Sequence, residues 1–298
     1  MRISEIMSVT ALTIFSLVLS PVSLAQVPAT VYVPFVLALT GGWPTPLPGE
    51  TWTFTRWEST LGLFNNSDTP ATYAQKTLFG KGAGLAQPPG CESAGTLAPH
   101  TGTNVIVCYA PAPDRGFGFL AVDTPAGVVV HSDVQRTIYR CNCSDPGCDS
   151  IPQGQTGTPA YRGLFQAGSS VVSGAVELGN FLLSCASPKE LYRRRVNVTL
   201  FNGGDVPATF TVTVLPVHFS GVPLSRETVV VDAKDVIQIN SLPVPTEFDN
   251  NLANGFGGNR IWITITADQP FLSYVSTIFD NPEPGAMPFE VYPSVLRN

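Results

Sequence analysis

Residues 200–209 read LFNGGDVPAT, and nearly the same phrase stands once before, at 63–72, as LFNNSDTPAT. In the second occurrence Val196, Val198 and Leu200 alternate with Asn197, Thr199 and Phe201. Beyond the phrase, Phe210, Val212 and Val214 alternate with Thr209, Thr211 and Thr213. A period of two on both sides predicts two half-buried strands. Between them Asn202, Gly203, Gly204 and Asp205 carry turn chemistry: glycine admits positive φ, and Asn and Asp side chains bond backbone amides locally. Pro207 opens the next strand, where no amide hydrogen is needed. The earlier phrase repeats this with Leu61 and Leu63, then Asn65, Asn66, Ser67 and Asp68, then Pro70.

Phe64 and Phe201 are 137 residues apart, a spacing that suits tandem domains and is too long for a solenoid repeat. A second correspondence follows each phrase. Residues 117–132, FGFLAVDTPAGVVVHS, and 260–276, RIWITITADQPFLSYVS, both read as strand, turn, strand, with Ser132 aligned to Ser276 at an offset of 144. The drift from 137 to 144 is the length variation that surface loops tolerate.

With 298 residues, 44% of them hydrophobic and only 13% charged, the chain is long and apolar enough to bury two ordinary cores. The 27 glycines and 27 prolines, clustered between β-rich runs, favour an all-β protein with many turns. A net charge of −6 argues against a nucleic-acid partner, because phosphate binding is driven by clustered cations. Arg193, Arg194 and Arg195 form the one basic run and read as a solvated strand entrance.

Residues 1–25 read as a signal peptide: Arg2 precedes an apolar run over 6–19, and Ser23, Leu24 and Ala25 place cleavage after Ala25. The mature chain is expected to be exported, to the periplasm or outside the cell, with no membrane span. Six cysteines suit that address: Cys91, Cys108, Cys141, Cys143, Cys148 and Cys185. Their connectivity does not follow from spacing. The preferred arrangement bridges Cys91 to Cys108, which would stabilise by about 3 kcal/mol, and lets Cys185 reach back to the cluster CNCSDPGC at 141–148. That cluster lacks the paired spacing of a zinc ribbon and has no histidine nearby, so disulfides are expected there rather than a metal.

Nucleophile elbows, zinc-protease helices and nucleotide-binding glycine loops are not present in the sequence. His100, His131 and His218 are isolated; His131 and Asp133 share a strand face at i and i+2, together with Val129. They are read as boundary residues. Asp68 and Asp205 occupy equivalent turn positions and are read as backbone caps rather than ligand groups. Asp249, Asn250, Asn251 and Asn254 crowd one loop, but Ala253 and Asn254 stand where a calcium loop wants Asn and Gly. No cofactor or metal is therefore expected. Trp43, Trp52, Phe54 and Trp57 gather before the first repeat strand and offer a stacking platform for a sugar or a patch for a protein partner. Trp57, however, has the core parity of Leu61 and Leu63. The sequons at Asn65, Asn142 and Asn197 carry no weight, since Asn197 falls inside a predicted strand.

An apolar strand, NxGDxPA and an alternating strand, at 200–209 and more loosely at 63–72, resemble the immunoglobulin-like sandwich domains of bacterial secreted proteins, including the cell-adhesion-related domain group. YVPF at 32–35 and the alternation near 274–280 are similar to uncharacterised tandem modules of exported bacterial proteins. The resemblance implies a scaffold and carries no catalytic residue. The expectation is two tandem immunoglobulin-like antiparallel β-sandwich domains, 27–150 and 151–298, with 153–159 as linker. The expected function is an exported non-enzymatic binding or structural module of adhesion type, meeting a protein or glycan partner through sandwich loops or an edge strand. A carbohydrate-binding accessory module using Trp43, Trp52 and Trp57 is the alternative, and an enzyme on a sandwich scaffold the third.

Overall fold

The computed structural model describes residues 29–36, 39–42, 51–80, 93–105, 117–142, 148–158, 160–178, 180–182, 191–216, 222–240, 242, 259–279 and 289–297. Among them there is no helix, and every sheet is antiparallel. The first ten strands are β1 (Ala29–Val36), β2 (Leu39–Gly42), β3 (Thr51–Asn65), β4 (Ala71–Gly80), β5 (Ala94–Leu97), β6 (Gly102–Val105), β7 (Phe117–Thr124), β8 (Val128–Asn142), β9 (Cys148–Thr158) and β10 (Tyr161–Arg162). They form two five-stranded sheets, one in the order β10-β1-β7-β4-β5 and the other in the order β2-β3-β8-β9 with β6 also on β3.

The remaining nine are β11 (Ser170–Leu178), β12 (Asn180–Leu182), β13 (Leu191–Asn202), β14 (Ala208–Pro216), β15 (Ser225–Val231), β16 (Val236–Ile239), β17 (Asn259–Ala267), β18 (Phe271–Phe279) and β19 (Phe289–Leu296). Their pairing repeats the first plan strand for strand. Leu61 opposes Ser132 as Val198 opposes Val275, and Val31 opposes Val122 as Val171 opposes Ile265. Ala71 opposes Leu97 as Ala208 opposes Val231. These registers align Ser132 with Val275, an offset of 143, so the sequence alignment of Ser132 to Ser276 was displaced by one residue. A displacement of one exchanges the two faces of a strand, so the difference matters.

One strand distinguishes the copies. β19 pairs with β18 over 289–293 and then with β11 over 294–296, so it passes from one sheet to the other and joins eight strands into one path, with β16 branching from β13. In the first copy the same two tasks are split between β9 on β8 and β10 on β1. The stretch 153–159, expected as a linker, is thus strand as far as Thr158. Within β9, Pro152, Gly154 and Gly157 are tolerated because the strand ends its sheet and a register shift interrupts its pairing between Arg136 and Thr137. The first plan closes at Arg162, and residues 163–169 connect it to β11, with Gly163 at φ 99° supplying the turn.

Each copy encloses its own core. Val31, Val33, Leu61, Leu63, Leu120 and Val122 are fully buried in the first, and Val198, Leu200, Phe210, Val212, Ile263 and Ile265 in the second. Each such side chain contributes about 1.5–3 kcal/mol over an exposed one. A third cluster lies between the copies: Phe119, Tyr161, Phe201, Val236, Leu272 and Tyr274, with Tyr32, Leu164 and Phe165 against it. It presses the outer face of β1 and β7 onto the outer face of β13, β16 and β18. The prediction of a half-buried strand therefore fails for β13, which is buried on both faces from Val196 to Asn202. For β14 it holds, with buried Ala208, Phe210, Val212 and Val214 alternating with threonines.

Candidate functional site

The repeated phrase folds around one asparagine in each copy. Asn65 Nδ2 donates to the carbonyls of Thr69 (2.8 Å), Leu97 (3.3 Å) and Ala98 (3.1 Å), and Oδ1 accepts from the Ser67 amide at 3.0 Å. Asn202 Nδ2 donates to the carbonyls of Val206 (2.8 Å), Val231 (3.1 Å) and Asp232 (3.0 Å), and Oδ1 accepts from the Gly204 amide at 2.8 Å. Both side chains are fully buried. A neutral amide suits the place because it donates to several carbonyls and accepts from an amide at once. It ties the strand-turn-strand phrase to the turn between β5 and β6, or between β15 and β16.

Asp68 and Asp205 do something other than the capping expected of them. Asp68 Oδ1 lies 2.8 Å from His100 Nε2, and Asp205 Oδ1 lies 3.0 Å from Lys234 Nζ, which also donates to the Gly203 carbonyl. His100 and Lys234 hold the same position in the two copies and share a left-handed backbone, φ 54° and 58°. Such a conformation is uncommon outside glycine, and its recurrence marks a structural device. The carboxylates are exposed, so the pairs add little to stability. Pro70 and Pro207 stand exposed immediately before β4 and β14.

His131 and Asp133 share the outer face of β8, with Nε2 3.5 Å from Oδ2. The imidazole lies directly on Gly62 of β3; a Cβ there would meet the ring at 2.0 Å. Half of the imidazole is open to solvent, on a sheet face that also carries Val129 and Phe64. Among the described residues no three His, Cys, Asp or Glu side chains gather to hold a metal. Trp57 follows its predicted core parity and is half-buried, with the Arg136 guanidinium 5.2 Å from the ring centroid. Arg136, a buried cation directly opposite Trp57, escaped the sequence reading. Its even-numbered place in line with Val128, Val130 and Val134 was the signal that it points inward.

Trp43, His218, Cys91, Cys108, Cys143, Cys185, Asp249, Asn250, Asn251 and Asn254 lie outside the described residues, as do the side chains of Trp52, Phe54, Asn142 and Arg193 to Arg195. The backbones of Cys141 and Cys148 oppose each other in β8 and β9; their side chains are likewise outside. The sequon asparagines Asn65 and Asn197 are buried and closed to a glycan.

A hydrogen-bonded aromatic cluster lies between the copies. Phe119 packs against Phe201 and Tyr274, both at 5.6 Å between centroids, and against Tyr161 at 6.1 Å. Tyr161 Oη donates to the Ser273 carbonyl (2.9 Å) and accepts from the Ser294 amide (3.3 Å), while Ser273 Oγ meets Ser294 Oγ at 2.9 Å. Burial raises the Tyr161 and Tyr274 phenols well above their ordinary value, so both stay protonated and act as hydrogen-bonding anchors. Among the described residues no helix is long and apolar enough to cross a membrane. No protein-family model, curated protein or solved structure matches this chain.

Proposed function

We propose that the protein is an exported, non-enzymatic binding or structural module of adhesion type, built from two immunoglobulin-like sandwiches joined as one unit. The observation that carries the reading is the use made of the repeated polar residues. Asn65 and Asn202 bond backbone groups of their own scaffold, and Asp68 and Asp205 meet a nitrogen donor side chain, His100 or Lys234, at the same place in each copy. The phrase that duplicates is therefore scaffold chemistry, and partner contact falls to sandwich-end loops and to edge strands such as β15, which ends its sheet. Export after cleavage at Ala25, the disulfides and a protein or glycan partner belong to the same proposal, supported by the apolar run at 6–19 and the six cysteines.

A turnover assay on purified protein tests it. With chromogenic ester, glycoside and phosphoester substrates the expected rate equals that of buffer and is unchanged by His131→Ala. A rate above buffer that falls on His131→Ala or Asp133→Ala overturns the reading in favour of an enzyme. Retention on a polysaccharide column that Trp52→Ala abolishes would move the partner to the glycan class.

A further inference from the structure

The internal interface joins two different faces. The first copy contributes the outer face of β1, β7 and β10 through Tyr32, Phe119 and Tyr161; the second contributes the outer face of β13, β16 and β18 through Phe201, Leu272 and Tyr274. Because the copies share one pairing plan, each face has a counterpart on the other copy. The register assigns Val172, Trp262 and Val295 to the places of Tyr32, Phe119 and Tyr161. It assigns Phe64, Val129 and His131 to the places of Phe201, Leu272 and Tyr274.

Among the described residues, four of the eight exposed large apolar side chains are these counterparts. Phe64 is 39% exposed, Val129 50%, Trp262 37% and Val295 53%. Their equivalents Phe201, Leu272, Phe119 and Tyr161 are at most 8% exposed. Exposed apolar groups scattered singly need no explanation, but these four fall on the two faces complementary by position to a formed interface.

We propose that the chain assembles head to tail with further copies of itself, the outer face of β11, β17 and β19 of one molecule docking on the outer face of β3, β6 and β8 of the next. The occupant of each face is a second copy, because the contact continues within the assembly the one already made inside the chain. Transposed contacts put Trp262 over Phe64 and His131, as Phe119 lies over Phe201 and Tyr274. Gly102 stands at the place of Val236, and the Phe64 ring lies against it, with Cδ2 3.2 Å from where a Cβ would stand. A heterologous contact of this kind does not saturate at a dimer: it closes into a ring or extends as a filament. The inference is independent of what the loops and edge strands bind.

Sedimentation velocity over a concentration series tests it with Phe64→Asp and Trp262→Asp. Native protein is expected to gain mass with concentration beyond a dimer, or to form one closed ring. Each variant alone is expected to remain a monomer. Mixed together they should form a 1:1 dimer and stop, since each retains the face that the other has lost. Native protein that stays monomeric to its solubility limit overturns the proposal. So does a single variant that assembles like the native chain, or a mixture that stays monomeric. If either variant lacks a cooperative melt, Val129→Asp and Val295→Asp replace them with the same expected outcomes.

Discussion

Replacing Asn202 with alanine is expected to lower the unfolding free energy by about 3 kcal/mol, because buried backbone groups lose a hydrogen-bond partner when the amide is removed. The Val231 carbonyl and the Gly204 amide are the groups most deeply affected; the carbonyls of Val206 and Asp232 are partly buried and can recruit water. Chemical denaturation measures the loss as a fall in midpoint at constant slope. Asn202→Asp is expected to be at least as damaging, since it keeps the shape but replaces a donating amide with lone pairs facing three carbonyls. Asn65→Ala should act in the same direction through the equivalent bonds. A loss below about 1 kcal/mol for Asn202→Ala, or a tolerated Asn202→Asp, contradicts the role given to this side chain.

Phe119→Ala is expected to cost about 3–5 kcal/mol, the range for deleting a fully buried phenylalanine. Phe119 belongs to neither copy's own core, so its ring stabilises the contact between them. The loss should therefore appear as uncoupling: native protein melts in one transition, and the variant in two. Trp262 holds the same topological place in the second copy and is partly open to solvent. Trp262→Ala is expected to leave a dilute sample with a single transition and a much smaller loss. Equal losses for the two substitutions would mean that the aromatic cluster does not join the copies.

How much of this was legible in the sequence depended on which side of a strand a residue faced. The paired phrases at 63–72 and 200–209 announced the duplication because turn chemistry and alternating burial are local. The inner faces followed from them: Leu61, Leu63, Val198 and Leu200 are buried as their parity requires. Phe64 and Phe201 show where parity stops informing. They are the same letter at the same place in the repeat, yet one is exposed and the other buried, because only the second copy has its outer face covered by the first. Nothing within a strand encodes which outer face will be covered. The residues at 153–159 misled for a related reason: glycine and proline mark linkers and edge strands alike. The shared left-handed backbone of His100 and Lys234 was hidden because neither residue advertises positive φ. At the repeated turn, the sequence identified the right phrase and gave local backbone bonding to both asparagine and aspartate; the asparagine carries it, while Asp68 and Asp205 meet His100 and Lys234.

The central claim is that two copies of one strand plan are locked face to face through an aromatic cluster. Proton NOEs in a sample labelled at Phe and Tyr test it most directly. The Phe119 ring should give cross-peaks to Phe201 and Tyr274, with centroids 5.6 Å away, alongside the Phe210 to Phe271 cross-peak at the same distance within the second copy. A spectrum that shows the Phe210 to Phe271 contact and lacks both contacts from Phe119 would contradict the account.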